Sequence, residues 1–330
     1  MRLVTRPDFD GLICGSVVTA MEEIESYLFV EPKWMQDGLV EIRHGDIIAN
    51  LPHHPKASLW FDHHISNEVQ GFDTPIVPGR GGYRIAPSAA RVVFEYYTST
   101  YWSQEPNLRI PTPPHYSEAL KLITTERFEY LLAETDKIDA GLLSPEEVLH
   151  PEGYVLISMT IDGKRTEDEP YWLKLISLLR DKSLDRVLKD TDVKKHCQRI
   201  LGVQGELRKL LLERATLKGN VIFVDLRGVQ DITEGNRFLL YTLFPTGNIS
   251  VKITADTQRA DRTAISVGYN IFNTTSKVNV GALMQKYGGG GHKVVGSCRV
   301  LNDHAEKALG AGHSSRTRYA CHPRHQPTAR

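Results

Sequence analysis

At residues 59–64 the chain reads Leu59-Trp60-Phe61-Asp62-His63-His64, an apolar run that ends in one acid and two histidines. The apolar residues, with Ala57 and Ser58 before them, are typical of a buried strand. A carboxylate and two imidazoles at the end of such a strand are costly to bury unless hydrogen bonds or a metal ion satisfy them. By itself the tripeptide is also typical of a surface loop, so its interpretation depends on the rest of the chain.

The opening of the chain has a related pattern. Residues 1–5 predict a short buried strand, which ends at Pro7 because proline disfavours its continuation. Asp8-Phe9-Asp10-Gly11 then predicts a turn before a helix over residues 12–21. This order predicts the first unit of a doubly wound sheet, in which ligands bind at the carboxyl ends of the strands. Asp8 and Asp10 could each serve a metal ion, or Asp8 could merely cap the helix.

Three later stretches supply similar chemistry. They are Arg43-His44-Gly45-Asp46, Glu134-Thr135-Asp136-Lys137-Ile138-Asp139 and Tyr287-Gly288-Gly289-Gly290-Gly291-His292. We expect a strand over residues 39–44, so that Asp46 follows a strand end, and a helical turn over residues 47–51. A helix over residues 118–132 leads into the second stretch. Residues 193–217 predict one long helix, whose leucines favour packing on the core and leave a coiled-coil dimer as the alternative.

In this order and spacing, the stretches resemble the DHH phosphoesterase superfamily with its DHH-associated carboxyl-terminal domain. The opening Thr-Arg-x-Asp-Phe-Asp-Gly form is most similar to the exopolyphosphatase-like proteins, in the exopolyphosphatase-like and nanoRNase-like branch. The resemblance implies an α/β fold: an N-terminal doubly wound, mainly parallel sheet, a smaller C-terminal mixed-sheet α/β domain, and a cleft between them. The implied divisions are a catalytic domain (1–190), a linker helix (191–217), a substrate-binding domain (218–303) and a disordered tail (304–330).

A ligand set for Mn²⁺ or Mg²⁺ follows from the same resemblance, because hard oxygen ligands with an occasional imidazole suit these ions. Its members are Asp8, Asp10, Asp46, His63 and Asp136. Asp46 would bridge two ions, Asp10, His63 and Asp136 would complete one site, and Asp8 would hold the other. Asp139 is the alternative to Asp136. Two ions about 3.5–4 Å apart would polarise a phosphate and activate a water molecule.

The resemblance also gives roles to Asp62 and His64, the other two residues of the Asp62-His63-His64 tripeptide. Asp62 would orient the neighbouring imidazole, and His64 would face the phosphate as a cationic donor or a general acid.

One departure from the family pattern affects the metal sites. Many members carry a histidine where this chain has Val4, so one of the two sites is expected to be weaker and richer in water.

The glycine run is the expected substrate-binding signature of the second domain. Glycines at 288–291 let backbone N–H groups approach an anion, and His292 can donate to a phosphate. Arg262 and Lys277 are basic residues nearby in sequence. The alternative is a flexible loop, and two departures from relatives concern this region. An arginine is missing near residues 273–275, and Val295-Gly296 stands in place of Ala-Gly.

Composition narrows the class of protein further. The chain of 330 residues is 41% hydrophobic and 24% charged, which is ordinary for a globular protein and long enough for two domains. Forty basic and forty acidic residues balance, so net charge does not favour nucleic acid, although a local basic groove is possible. Four scattered cysteines fit a reducing compartment. No apolar run could span a bilayer, and we expect a cytoplasmic protein.

We therefore predict a metal-dependent phosphoesterase with a small phosphorylated substrate. Short single-stranded oligonucleotides, nucleotide 3′-phosphates, dinucleotides and polyphosphate are all consistent with the sequence. The alternative is a nucleotide-binding regulatory protein with a degenerate metal site, which the missing histidine at Val4 favours. Long duplex DNA is disfavoured because no basic tract is present. A homodimer remains open.

Overall fold

The structure, a computed structural model, describes residues 1–67, 76–77, 79–99, 116–229, 235–256, 259–291 and 293–305. Its first sheet has six strands in the order β2-β1-β3-β4-β6-β5. They are β1 (Arg2–Thr5), β2 (Ser26–Phe29), β3 (Ile47–Ala49), β4 (Leu59–Asp62), β5 (Ile76–Val77) and β6 (Gly81–Tyr83). All neighbours are parallel except the pair of β5 and β6. The carboxyl ends of β1 to β4 therefore meet at one edge.

The first helix, α1 (Phe9–Met21), packs against four of the other helices of this first part. The other helices are α2 (Pro32–Gln36), α3 (Ala89–Thr98), α4 (Tyr116–Ile123), α5 (Glu126–Asp139), α6 (Pro145–Leu149), α7 (Gly153–Met159), α8 (Glu169–Asp181) and α9 (Leu184–Lys189). Small residues let α8 approach α1, because a Cβ on Gly15 would lie 2.9 Å from Ile176 Cδ1. Ser16 donates to the Ile176 carbonyl at the same contact. Twelve of the thirteen residues of α1 are buried, so this helix forms the centre of the core.

The second sheet has the order β11-β12-β10-β9-β8-β7. It follows the long helix α10 (Thr191–Arg214). Its strands are β7 (Ala215–Lys218), β8 (Val221–Asp225), β9 (Ile249–Ala255), β10 (Arg262–Tyr269), β11 (Gly290–Gly291) and β12 (Val295–Leu301). Two helices lie between these strands in the chain, α11 (Leu239–Leu243) and α12 (Val280–Gln285). Only β8 and β9 are parallel among its pairs. The predicted α/β class with a parallel sheet and a smaller mixed sheet is confirmed.

Several element predictions are wrong in part, and one of them moves a predicted site residue. Helix α1 begins at Phe9, within the expected turn, and the helix expected over 193–217 ends at Arg214, where β7 begins. Residues 39–44 form no strand, and the strand lies instead at Ile47–Ala49, where a helical turn was expected. The expected single helix over 118–132 is two helices, because Thr125 accepts from the Phe128 N–H and caps a new helix. The exact domain boundaries stay a prediction. Of the tail, residues 304 and 305 are helical and the remainder lies outside the described residues.

Within the described residues, no helix is long and apolar enough to cross a membrane. Three cysteines in these ranges, Cys14, Cys197 and Cys298, are free and buried.

Candidate active site

Acidic and imidazole side chains gather at the carboxyl edge of the first sheet. Asp10 comes from the first turn of α1, after β1, and His63 directly follows β4. Asp139 is the last residue of α5. Ligand atoms of these three side chains lie within 4.8 Å of one another.

The Asp10 carboxylate is held by the amino terminus of α3. Its two oxygens accept from the Ala89 and Ala90 N–H groups, each at 2.8 Å. Ser88 caps the same helix by accepting from the Arg91 N–H. Because the side chain is only 2% exposed, Asp10 has almost no freedom to turn away from this position.

His63 has a fixed tautomer in this arrangement. Its Nδ1 lies 2.9 Å from the Ala86 carbonyl oxygen, which can only accept, so Nδ1 carries the proton. The other nitrogen, Nε2, then has a free lone pair. It lies 3.8 Å from Asp10 Oδ2 and 3.4 Å from Asp139 Oδ2. Among the described residues this buried atom has no hydrogen-bond partner.

These observations fit a divalent metal ion. Burial, and then the charges of Asp139 and Asp8, raise the pKa of Asp10 well above its usual value. Burial and the charge of Asp8 likewise raise the pKa of Asp139. A buried and a half-buried carboxylate that repel one another beside an unpartnered imidazole nitrogen are stabilised by a cation. Asp10, His63 and Asp139 are therefore the residues that could hold an ion of the Mn²⁺ or Mg²⁺ type.

His64 is oriented by a separate contact. Its Nδ1 lies 2.8 Å from Oδ1 of the fully buried Asp62, whose Oδ2 accepts from Asn67 Nδ2 at 2.6 Å. Burial alone acts to lower the pKa of His64, but the hydrogen bond and the charge of Asp62 outweigh it and raise the pKa. Asp62 therefore orients the His64 imidazole and raises its pKa, and the role of His64 as a donor to a phosphate stays a prediction.

Asp8 faces the same edge but serves several partners. It caps α1 by accepting from the Gly11 N–H at 2.9 Å, and it forms an ion pair with Arg6 at 3.1 Å. The Nδ2 of Asn50 donates to it at 3.0 Å. Asp8 therefore caps the helix through Oδ1, and its Oδ2 is paired with Arg6. Its role as a ligand of a second ion stays a prediction.

The predicted position of Asp46 at the metal edge is wrong. It precedes β3 instead of following it, so it lies at the opposite edge of the sheet from Asp10 and His63. There it is 2% exposed and paired with Arg2 in two hydrogen bonds of 3.0 and 2.6 Å. The bridging role at the metal edge is therefore wrong for Asp46. The residue that follows β3 is Asn50, whose buried Oδ1 has no hydrogen-bond partner among the described residues.

The choice between Asp136 and Asp139 is also corrected. Asp136 lies one turn earlier on α5, where its carboxylate accepts from Ser88 Oγ at 2.6 Å and from Arg91 Nε at 2.9 Å. Its oxygens are therefore already occupied, whereas those of Asp139 face His63. Asp136 acts on the site indirectly, because it holds the first turn of α3 that grips Asp10.

Sequence reasoning missed two residues at this edge, Asn50 and Glu31. Glu31 follows the carboxyl end of β2, and its carboxylate lies 3.8 Å from Arg6 Nε. Burial raises the pKa of Glu31, and the charge of Asp8 adds to this effect. The feature that could have identified both residues is their position, since each lies just after a short strand of the parallel sheet.

The glycine run has a structural role in the described residues. A Cβ on Gly289 would lie 2.1 Å from the Ser297 carbonyl oxygen, and one on Gly291 would lie 2.3 Å from the Val295 carbonyl oxygen. The glycines thus allow close packing on β12, whereas Gly288 and Gly290 face open space. His292 lies outside the described residues. Substrate binding by Gly288, Gly289, Gly290, Gly291 and His292 stays a prediction.

Arg262 is separated from that run by the strand register. It pairs with Leu301 of β12, while Gly290 pairs with Ser297, four residues along the same strand. At a rise of about 3.3 Å per residue the two levels are about 13 Å apart. The structure therefore does not bring Arg262 beside the glycines.

Together, a parallel sheet, a second mixed sheet and an Asp-His group after the first and fourth strands define a DHH-type phosphoesterase. The chain is 32% identical to a pGpG-specific phosphodiesterase, PggH from Vibrio cholerae, with a TM-score of 0.70 over 94% of this chain and 96% of that one. The chain belongs to the DHH phosphoesterase superfamily, whose enzymes hydrolyse phosphoester bonds.

A more distant structure agrees in fold. RecJ from Thermus thermophilus, solved with Mn²⁺, is 13% identical with a TM-score of 0.51, and the match covers 94% of this chain and 50% of that protein. No protein-family model and no curated protein matches the chain.

Proposed function

We propose that this protein is a metal-dependent phosphodiesterase that cleaves a short, linear, phosphorylated oligonucleotide of the pGpG type. The observation that carries the proposal is the unpartnered His63 Nε2 facing Asp10 and Asp139. The substrate class is supported by the 32% identity to the pGpG-specific enzyme across nearly the whole of both chains.

Asp10, His63 and Asp139 would hold the ion, with Asp8 and Asn50 beside them. A bound divalent ion supplies charge neutralisation for the phosphate and a water molecule of lowered pKa. His64, whose pKa is raised by Asp62, would donate a hydrogen bond to a phosphate oxygen and could protonate the departing oxygen. The fixed Nδ1 proton of His63 keeps Nε2 turned towards the carboxylates.

Hydrolysis of a substrate panel tests this assignment. The substrates are pGpG, GpG, a cyclic dinucleotide, adenosine 3′,5′-bisphosphate, polyphosphate and a chromogenic phosphodiester, each with Mn²⁺ or EDTA. We expect pGpG to be cleaved to mononucleotide with Mn²⁺ and turnover to be lost in EDTA. Preferred cleavage of polyphosphate would instead favour the exopolyphosphatase-like interpretation.

A regulatory, nucleotide-binding protein is the second candidate. Val4 and Asn50 favour it, since Asn50 offers a neutral amide at the end of β3, where a carboxylate would bind a metal ion more strongly. No turnover of any substrate by a folded protein, combined with measurable nucleotide binding, would move the assignment to this candidate.

Replacing Asn50 with aspartate tests the weakness of the site directly. Asn50 has φ +58°, which aspartate tolerates, so the backbone is preserved. The added charge beside Asp8 is expected to lower the free energy of unfolding in EDTA and to raise the affinity for Mn²⁺ about tenfold. Calorimetric titration and urea unfolding measure both effects. An unchanged Mn²⁺ affinity would place Asn50 outside the metal site.

A further inference from the structure

Three cations, Lys164, Arg237 and Lys252, come from different parts of the chain. Lys252 lies on β9, two residues after Ser250, whose hydroxyl is 2.8 Å from the Tyr241 hydroxyl of α11. Because strand side chains alternate, Lys252 lies on the face of the second sheet that α11 covers. Arg237 precedes α11 by two residues.

That face of the second sheet is directed towards the first. Helix α11 contacts α6, and a Cβ on Gly141, two residues after Asp139, would lie 3.8 Å from Phe238 Cζ. Arg237 directly precedes Phe238 and therefore lies near the loop that follows Asp139.

The third cation, Lys164, comes from the first part of the chain. A Cβ on the preceding residue, Gly163, would lie 2.6 Å from Glu31 Oε1 and 2.8 Å from Pro7 Cγ. The Lys164 loop thus packs on the edge that carries Asp8. Its charge acts on Glu31 on one side and on Lys252 on the other, so the cations extend from the Asp139 side of the site to the Glu31 side.

These cations form no ion pair with a carboxylate of the described residues. The Arg237 guanidinium lies over the Phe238 ring, 4.7 Å from its centroid. Burial, and then repulsion by Lys164 and Arg237, lower the pKa of Lys252. A phosphate between them would remove this repulsion, because its oxygens accept charge-assisted hydrogen bonds.

We propose that Lys164, Arg237 and Lys252 bind the terminal phosphate of the substrate while the adjacent diester phosphate lies at Asp10, His63 and Asp139. The proposal rests on the proposed function and narrows it to 5′-phosphorylated oligonucleotides. A terminal phosphate carries close to two charges at neutral pH, against one for a diester, so a cluster of three cations suits it better. The diester phosphate already has the ion and His64 as partners.

Binding to the EDTA-treated protein separates this proposal from catalysis. The affinities for pGpG and for GpG, which lacks the terminal phosphate, are measured for wild type, Lys252→Gln, Lys164→Gln and the exposed control Lys121→Gln on α4. Wild type is expected to prefer pGpG, and each site variant is expected to reduce this preference about tenfold. The control is expected to keep it.

The outcomes are distinct. Site variants that lose affinity for both ligands in equal proportion place the cations on the diester phosphate and overturn the proposal, as does a wild type with no preference for pGpG. If wild type cleaves pGpG but the site variants keep the wild-type preference for pGpG over GpG, the phosphate site is wrong and the proposed function stands. A lysine-dependent preference without any Mn²⁺-dependent cleavage supports the site and contradicts the proposed function.

Discussion

Asp139→Asn is expected to reduce Mn²⁺-dependent turnover at least about 100-fold. The asparagine keeps the size of the side chain but removes the charge that faces His63 Nε2 at 3.4 Å. A neutral amide binds a divalent ion more weakly than a carboxylate, so both the Mn²⁺ affinity and kcat are expected to fall. The free energy of unfolding in EDTA is expected to rise, since one of the mutually repelling carboxylates has been removed.

The matched control for this variant is Asp136→Asn on the same helix. It breaks the contacts to Ser88 and Arg91, which lie beside the site and not in it. We expect a loss of about 1–3 kcal/mol in the free energy of unfolding and a smaller effect on turnover, because Asp10 keeps its backbone donors. If Asp136→Asn abolished metal binding while Asp139→Asn retained it, the assignment of Asp139 to the metal would be wrong.

Asp46→Asn is expected to lower the free energy of unfolding by about 3 kcal/mol while Mn²⁺ affinity and kcat remain close to those of wild type. The variant leaves the Arg2 guanidinium, 12% exposed, without its charged partner. The pKa of Arg2 is raised chiefly by its hydrogen bond to Asp46, so stability and ion pair are linked. Urea unfolding measures the stability, and Mn²⁺ titration measures the affinity.

A double-mutant cycle with Arg2→Met checks the cause. If the ion pair accounts for the effect, the double variant is expected to be less destabilised than the sum of the two single variants. Loss of Mn²⁺ binding at unchanged stability in Asp46→Asn would falsify the placement of this residue away from the metal.

Asp46 was predicted at the wrong edge of the sheet because the position of β3 was predicted wrongly. Ile47-Ile48-Ala49 is a continuous apolar run, typical of a strand buried on both faces of a parallel sheet, but a run of three residues carries no periodicity. Residues 39–44 mix apolar and polar residues as a half-buried strand does, yet Leu39 is 73% exposed. The shift exchanged Asp46 and Asn50 between the two ends of β3.

Other parts of the site could be predicted because local pattern and topology agree there. The strand before Asp8 and the strand before His63 lie where the sequence places them, and the helix after Asp8 is present but begins at Phe9, within the expected turn. The contacts that fix these side chains are not local. The contact of His63 with the Ala86 carbonyl and the placement of Lys252 on β9 depend on packing between distant segments, which no local pattern records.

The grip of α3 on Asp10 also affects how the protein is made. The two N–H groups that hold this carboxylate come from residues 79 and 80 positions later in the chain, and Asp139 is later still. Such long loops must close before the three ligands can meet, and their closure slows folding. During synthesis, a growing chain therefore cannot capture the ion with its full set of ligands until α5 has left the ribosome.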